Sequence, residues 1–153
     1  MLKEIASLLE KLTGSEPNDK LAEDELRVAS AALLVHTMAV DGIVTEAESE
    51  RLHALLAEHF HLTADEVNRL LIEAEREERD AIDIYRFTSV LRDRLPLDQK
   101  REIIAMMWRL VFADGKLGPL EDNLIWRTAE LLAVPARERM QLKQMIRAEM
   151  GGE

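Results

Sequence analysis

Two stretches of this chain carry acids at matched spacing. Asp41-Gly42-Ile43-Val44-Thr45-Glu46-Ala47-Glu48 recurs as Asp114-Gly115-Lys116-Leu117-Gly118-Pro119-Leu120-Glu121, 73 positions on (41 to 114). The shared pattern is Asp-Gly-x-(Val/Leu)-x-x-x-Glu, and both copies keep the Asp and the Glu while the residues between them change. If the two stretches meet in space, Asp41, Glu48, Asp114 and Glu121 bring four carboxylates together. Such a cluster either raises some of its own pKa values or takes up a cation. A donor set made only of oxygen suits Mg²⁺, Ca²⁺ or Mn²⁺ rather than zinc. The spacing is not that of an EF-hand, whose loop places carboxylates at about positions 1, 3, 5 and 12.

The same residues have a use that needs no ligand. Asp-Gly is a favoured turn because Gly tolerates positive φ and Asp hydrogen-bonds nearby backbone. In both copies the Glu falls at the third residue of the following helix, where it caps the helix and complements its dipole. Cation site and twice-built corner therefore stand side by side as readings. Val44 and Leu117 precede the cap, and their staple partners, Ser49 and Asp122, are polar. Each apolar side chain is thus expected to plug the groove between its two helices.

The elements that position these acids are helical. Leu2, Ile5, Leu8, Leu9 and Leu12 recur at helical spacing and predict an amphipathic N-terminal helix within 1–15, ended by Gly14 and a polar loop through Asn18. A longer helix is expected from about Lys20 to Val40. Thr45-x-x-Glu48 and Thr63-x-x-Glu66 are capping boxes, the second opening a helix to about Arg79. Asp80 is expected to cap a helix through Arg94, and Asp98, after Pro96, one through Ala113. Pro119 suits the first turn of a helix ending near Ala133, and Pro135 opens the last. Strand-length alternation is missing, and aromatics make up 4% of the chain. The fold class is all-α: a single-domain bundle of about eight helices, seven of them filling 20–150 and the N-terminal one an appendage.

The repeat extends beyond the acids. Leu33-Leu34 aligns with Met106-Met107, Leu52 with Ile125 and, with one residue dropped, Leu62-Thr63 with Val134-Pro135. Residues 26–79 and 98–149 thus read as two copies of one unit, expected to pack with pseudo-twofold symmetry.

Length and composition narrow the function classes. At 153 residues one domain is the default. A net charge of −10 argues against nucleic acid, because phosphate affinity comes from Lys and Arg. It also argues against a basic membrane-binding face, although the N-terminal apolar stripe leaves membrane-surface association open. No cysteine is present, which excludes disulfides, thiol catalysis and Cys-based metal sites. The N-terminus lacks the unbroken apolar stretch of a signal peptide, so cytoplasmic residence is the expectation.

The remaining candidates have plain structural readings. His59 and His61 sit at a helix C-terminus, where histidines meet the last carbonyls. His36 lies five residues before Asp41 and is expected to be packed or partly exposed. The run from Glu73 to Asp80 reads as a solvated face, while Met106, Met107, Met140, Met145, Trp108 and Trp126 read as core. No nucleophile and base stand at a recognisable spacing, so no catalysis is expected.

These residues carry a resemblance. Ala39-Val40-Asp41-Gly42-Ile43-Val44-Thr45-Glu46-Ala47-Glu48, with an Ala/Leu-rich helix before it and His61-Leu62-Thr63-Ala64-Asp65-Glu66 after it, resembles the TerB-like family, named for bacterial tellurite resistance. Phe112-Ala113-Asp114-Gly115-Lys116-Leu117 with Glu121 resembles it equally, and the likeness spans roughly 26–145. The resemblance implies an all-helical, internally duplicated, cytoplasmic or membrane-associated module that works beside other proteins in stress and surveillance systems. It implies a divalent metal at Asp41, Glu48, Asp114 and Glu121, and protein partners, with a homodimer among the arrangements open to it. Gly118-Pro119 departs from the Thr45-Glu46 corner, so the half-sites are not expected to be equivalent. The alternative is a protein-interaction scaffold whose corner acids are helix caps only.

Overall fold

The helical periodicity resolves into seven α-helices in the computed structural model, which describes residues 17–114 and 117–151, with side chains from 22 to 113 and from 117 to 151. They are α1 (Pro17–Ala39), α2 (Glu46–Phe60), α3 (Ala64–Asp80), α4 (Tyr85–Arg94), α5 (Leu97–Val111), α6 (Pro119–Leu131) and α7 (Ala136–Glu149). A 3₁₀ turn, Phe112–Asp114, follows α5. No strand occurs among the described residues. The eighth expected helix, within 1–15, lies outside them.

The core is built on the two most apolar helices. α1 is buried from Ala29 to Val35, and α5 from Ile103 to Trp108 and again at Leu110 and Val111. Such continuous burial means neighbours on every side rather than on one stripe. α1 packs against α3 and α4, α5 packs against α7 and α6, and the two central helices touch each other. Further contacts cross between the halves: α2 lies on α5 and on the 3₁₀ turn, and α6 lies on α1. Two threonines inside this core are satisfied locally. Thr37 and Thr128 donate to the carbonyls of Leu33 and Leu124, four residues back, at 2.6 and 2.7 Å.

Several boundaries differ from expectation, each for a visible reason. α1 begins at Pro17, ahead of Lys20, because proline at the first helical position sacrifices no hydrogen bond. α4 begins at Tyr85 rather than after Asp80: α3 runs through Asp80, and it is Asp83 whose Oδ1 accepts the Tyr85 N–H at 2.8 Å. α5 opens on Pro96, with Asp98 already inside its first turn. Met140 and Met145 are exposed rather than core, since α7 turns Leu142 and Ile146 inward instead. The Glu73–Asp80 run is less solvated than its charge suggests. Ala74 is fully buried, Glu77 pairs with Arg86 at 2.7 Å, and Glu78 meets His36 Nδ1 at 3.0 Å.

Candidate functional site: the two Asp-Gly corners

At the first corner, α1 ends at Ala39 and the chain reverses through Gly42, which sits at φ +77° and donates its N–H to Ala39 O at 3.0 Å. A side chain at that φ would be strained, so the glycine is required. Asp41 is exposed, and its Oδ1 accepts the Ile43 N–H at 2.9 Å, bracing the turn. Thr45 then caps α2 in a complete box. Its Oγ1 accepts the Glu48 N–H at 3.1 Å, while Glu48 Oε1 accepts the Thr45 N–H at 3.3 Å and its hydroxyl at 3.0 Å. Val44 does not plug the groove as expected: it is 52% exposed, and Ile43 beside it is 66% exposed. The box sets Val44 outside the helix pair, and Glu48 points inward in its place.

The second corner reaches the same end by other means. α5 passes into the 3₁₀ turn, where Phe112 stacks on Trp108 with ring centroids 5.6 Å apart. Leu117 packs against the core, as expected. The Gly118 N–H donates to Glu121 Oε1 at 3.1 Å, and Pro119 starts the helix. A Cβ at Gly118 would stand 3.1 Å from that same carboxylate oxygen, closer than ordinary contact. The side chain of Asp114 lies outside the described residues.

Burial separates these two glutamates from every other described acid. Glu48 is 3% exposed and Glu121 is 5% exposed, and they are the only buried Asp or Glu among the described residues. Capping alone does not demand this. Thr63 and Glu66 form the same complete box at the start of α3, with bonds of 2.9 and 3.2 Å, and Glu66 stays exposed. The Thr63 backbone and hydroxyl hold the Glu66 carboxyl below its usual pKa, without any help from burial.

Helices that carry the corner acids pack across to the other half. α2, which carries Glu48, lies against the 3₁₀ turn of the second corner, and α6, which carries Glu121, lies against α1. Among the described residues, no group of three or more acidic or histidine side chains is gathered closely enough to hold a metal.

A second polar cluster escaped the sequence reading. In a cleft of about 500 Å³, Arg109 holds Glu149 through two bonds of 2.7 and 3.2 Å and Glu102 through one of 3.0 Å. Glu149 is 40 residues from Arg109, and nothing in local spacing announces the pair. His59 lines the same cleft, and burial lowers its pKa, with Glu102 opposing and His61 adding. His61 ends α2 in the left-handed conformation, its backbone N–H on Ala57 O. Trp126, only partly buried, lies under Arg139.

Compared with protein-family models, residues 27–144 match the one described as tellurite resistance protein TerB. The chain belongs to the TerB family. No curated protein and no solved structure matches it. Both TerB corners fall inside the matched span, which begins on α1 and ends on α7. No described helix of this TerB domain is long and apolar enough to cross a membrane.

Proposed function

We propose that this TerB domain is a non-catalytic, cytoplasmic module of bacterial stress response that binds a divalent cation at its two corners and acts through partner proteins. The observation that carries the reading is the burial of Glu48 and Glu121, against the exposed Glu66 in the same capping geometry. The donor set fits a hard cation, being all carboxylate oxygen: Glu48 and Glu121 from the helix starts, Asp41 and Asp114 from the helix ends before them. Such an ion would offset their negative charge and tie the two corners together. Exposed aliphatic side chains flank both corners, with Ile43 and Val44 at one and Leu120, 55% exposed, at the other. They offer a partner, or a second copy of this chain, an apolar foothold.

Thermal melts test the cation. A ion that binds only the folded state raises the melting temperature. Ca²⁺, Mg²⁺ or Mn²⁺ is therefore expected to raise it above the value in EDTA. Asp41→Asn combined with Asp114→Asn is expected to abolish that increment and to raise stability in EDTA, by relieving repulsion. Titration calorimetry showing no uptake at millimolar ion overturns the reading and leaves the scaffold alternative. On that alternative Glu48→Gln is close to neutral whatever the metal, since Gln also closes a capping box.

A further inference from the structure

Ile82 is the most exposed large apolar side chain among the described residues, at 102%, and it does not stand alone. α1 and α3 pack side by side and run in the same direction. Glu25 and Glu66 line one groove nearer their starts, and His36 Nδ1 meets Glu78 Oε1 at 3.0 Å near their ends. The first corner and the connection from α3 to α4 therefore leave the bundle at the same end, each within about one turn of that tie. Arg86 pairs with Glu77 at 2.7 Å, which sets the start of α4 there too. Ile43, Val44, Ile82 and Tyr85, each more than half exposed, stand at this end.

We infer that this end of the bundle is a docking surface for a basic amphipathic helix of a partner protein, one with an aliphatic face flanked by lysine or arginine. Singly exposed apolar side chains are ordinary, but four gathered on two neighbouring connections make a patch. The charge around the patch chooses the occupant. Asp41, Glu46, Asp80 and Asp83 are all exposed, and Arg79 is the one cation in 40–46 and 79–85. His36 and Arg86, just beneath, are already engaged by Glu78 and Glu77. Such a rim attracts a cationic segment and fixes how it lies on the aliphatic tips. The tips are also held ready. Asp41 Oδ1 accepts the Ile43 N–H at 2.9 Å and Asp83 Oδ1 accepts the Tyr85 N–H at 2.8 Å, so both connections are braced before anything binds.

The same charge decides against other occupants. A second copy brings an identical acidic rim, in a chain of net charge −10, and like rims repel. An anionic bilayer is repelled for the same reason. The inference deepens the partner reading of the proposed function and rests on it, while making no use of the cation.

The test titrates the isotope-enriched full chain, in EDTA, with a short amphipathic helical peptide of leucine and lysine, and follows the backbone amide resonances. Shifts are expected within 41–46 and 79–86, with Thr63 and Glu66 at the other end of α3 unmoved. Ile43→Ser combined with Ile82→Ser is expected to weaken binding about tenfold or more. Asp80→Lys, which suits the C-terminal end of its helix, is expected to weaken it several-fold. All three positions are exposed, so an otherwise unchanged amide spectrum reports an intact fold. A peptide of the same composition, ordered so that it has no apolar face, is expected not to bind. Equal binding by that peptide, or undiminished binding by the double variant, overturns the inference. Shifts centred on another face overturn this surface and leave the partner reading standing. No shift anywhere at millimolar peptide overturns the inference, whatever calorimetry finds for the cation. Self-association of the chain that the double variant abolishes overturns it in favour of a second copy. Binding to phosphatidylcholine vesicles, lost in the same variant, overturns it in favour of a membrane.

Discussion

The two Asp-Gly corners deliver a buried glutamate to equivalent positions by different physics. The first is held by polar bonds: an aspartate brace on Ile43, a glycine at positive φ, and a threonine box. Its apolar residues, Ile43 and Val44, face out. The second is held by packing, with Phe112 on Trp108 and Leu117 against the core, and a bare glycine where the first has threonine. A motif can thus survive as a placement of one carboxylate while the forces that place it are exchanged.

The difference is easiest to break at its strongest point. Trp108→Ala removes a side chain that is 1% exposed from beneath the second corner, and is expected to cost about 3–5 kcal/mol in urea denaturation. An equal loss from Val44→Ala at the first corner would erase the distinction. Next come the glutamates. Glu48→Ala and Glu121→Ala leave the N–H groups of Thr45 and Gly118 without their acceptors beside the core, at about 1–3 kcal/mol each. Glu66→Ala, at the solvent-facing box, is expected to cost about 1 kcal/mol. If all three lose the same amount, burial of the corner acids has no energetic meaning.

pH sharpens the contrast between the two ends of α2. At its C-terminal end, burial lowers the His59 pKa below 6.5, so the unfolded chain takes up this proton first. Its contribution is complete above 6.5 and is lost as pH falls through the lower folded value. His59→Gln should therefore flatten the stability profile between about pH 7 and 5 in denaturation series at fixed ionic strength. The smallest effect belongs to Val44→Ala, expected within about 0.5 kcal/mol of the parent because the side chain is half exposed.

Much of this was legible in the residues. Helical periodicity, the Thr45 and Thr63 boxes, and Pro119 at a helix start are local signals, and each stands where it was read. The N-terminal boundary of α4 was misread because Asp80, a good cap residue locally, is the last residue of α3, and α4 starts after Ile84 with Asp83 accepting the Tyr85 N–H. The candidate glutamates were legible through repetition, but their burial was not. Thr45-x-x-Glu48 and Thr63-x-x-Glu66 are the same local sentence, and what lies over each is set by helices far along the chain. For the same reason the Arg109 cluster gave no warning, since Glu149 arrives from α7.

The crosswise seating of α2 on α5 and of α6 on α1 has a consequence for unfolding. Each half adds to the cover of the other's central helix, so detaching one half strips apolar surface from the other. The domain should come apart in a single cooperative transition, without a half-folded species. Amide hydrogen exchange should then be slowest in the mid-sections of α1 and α5 together, and their protons should exchange only through global opening, with matching free energies.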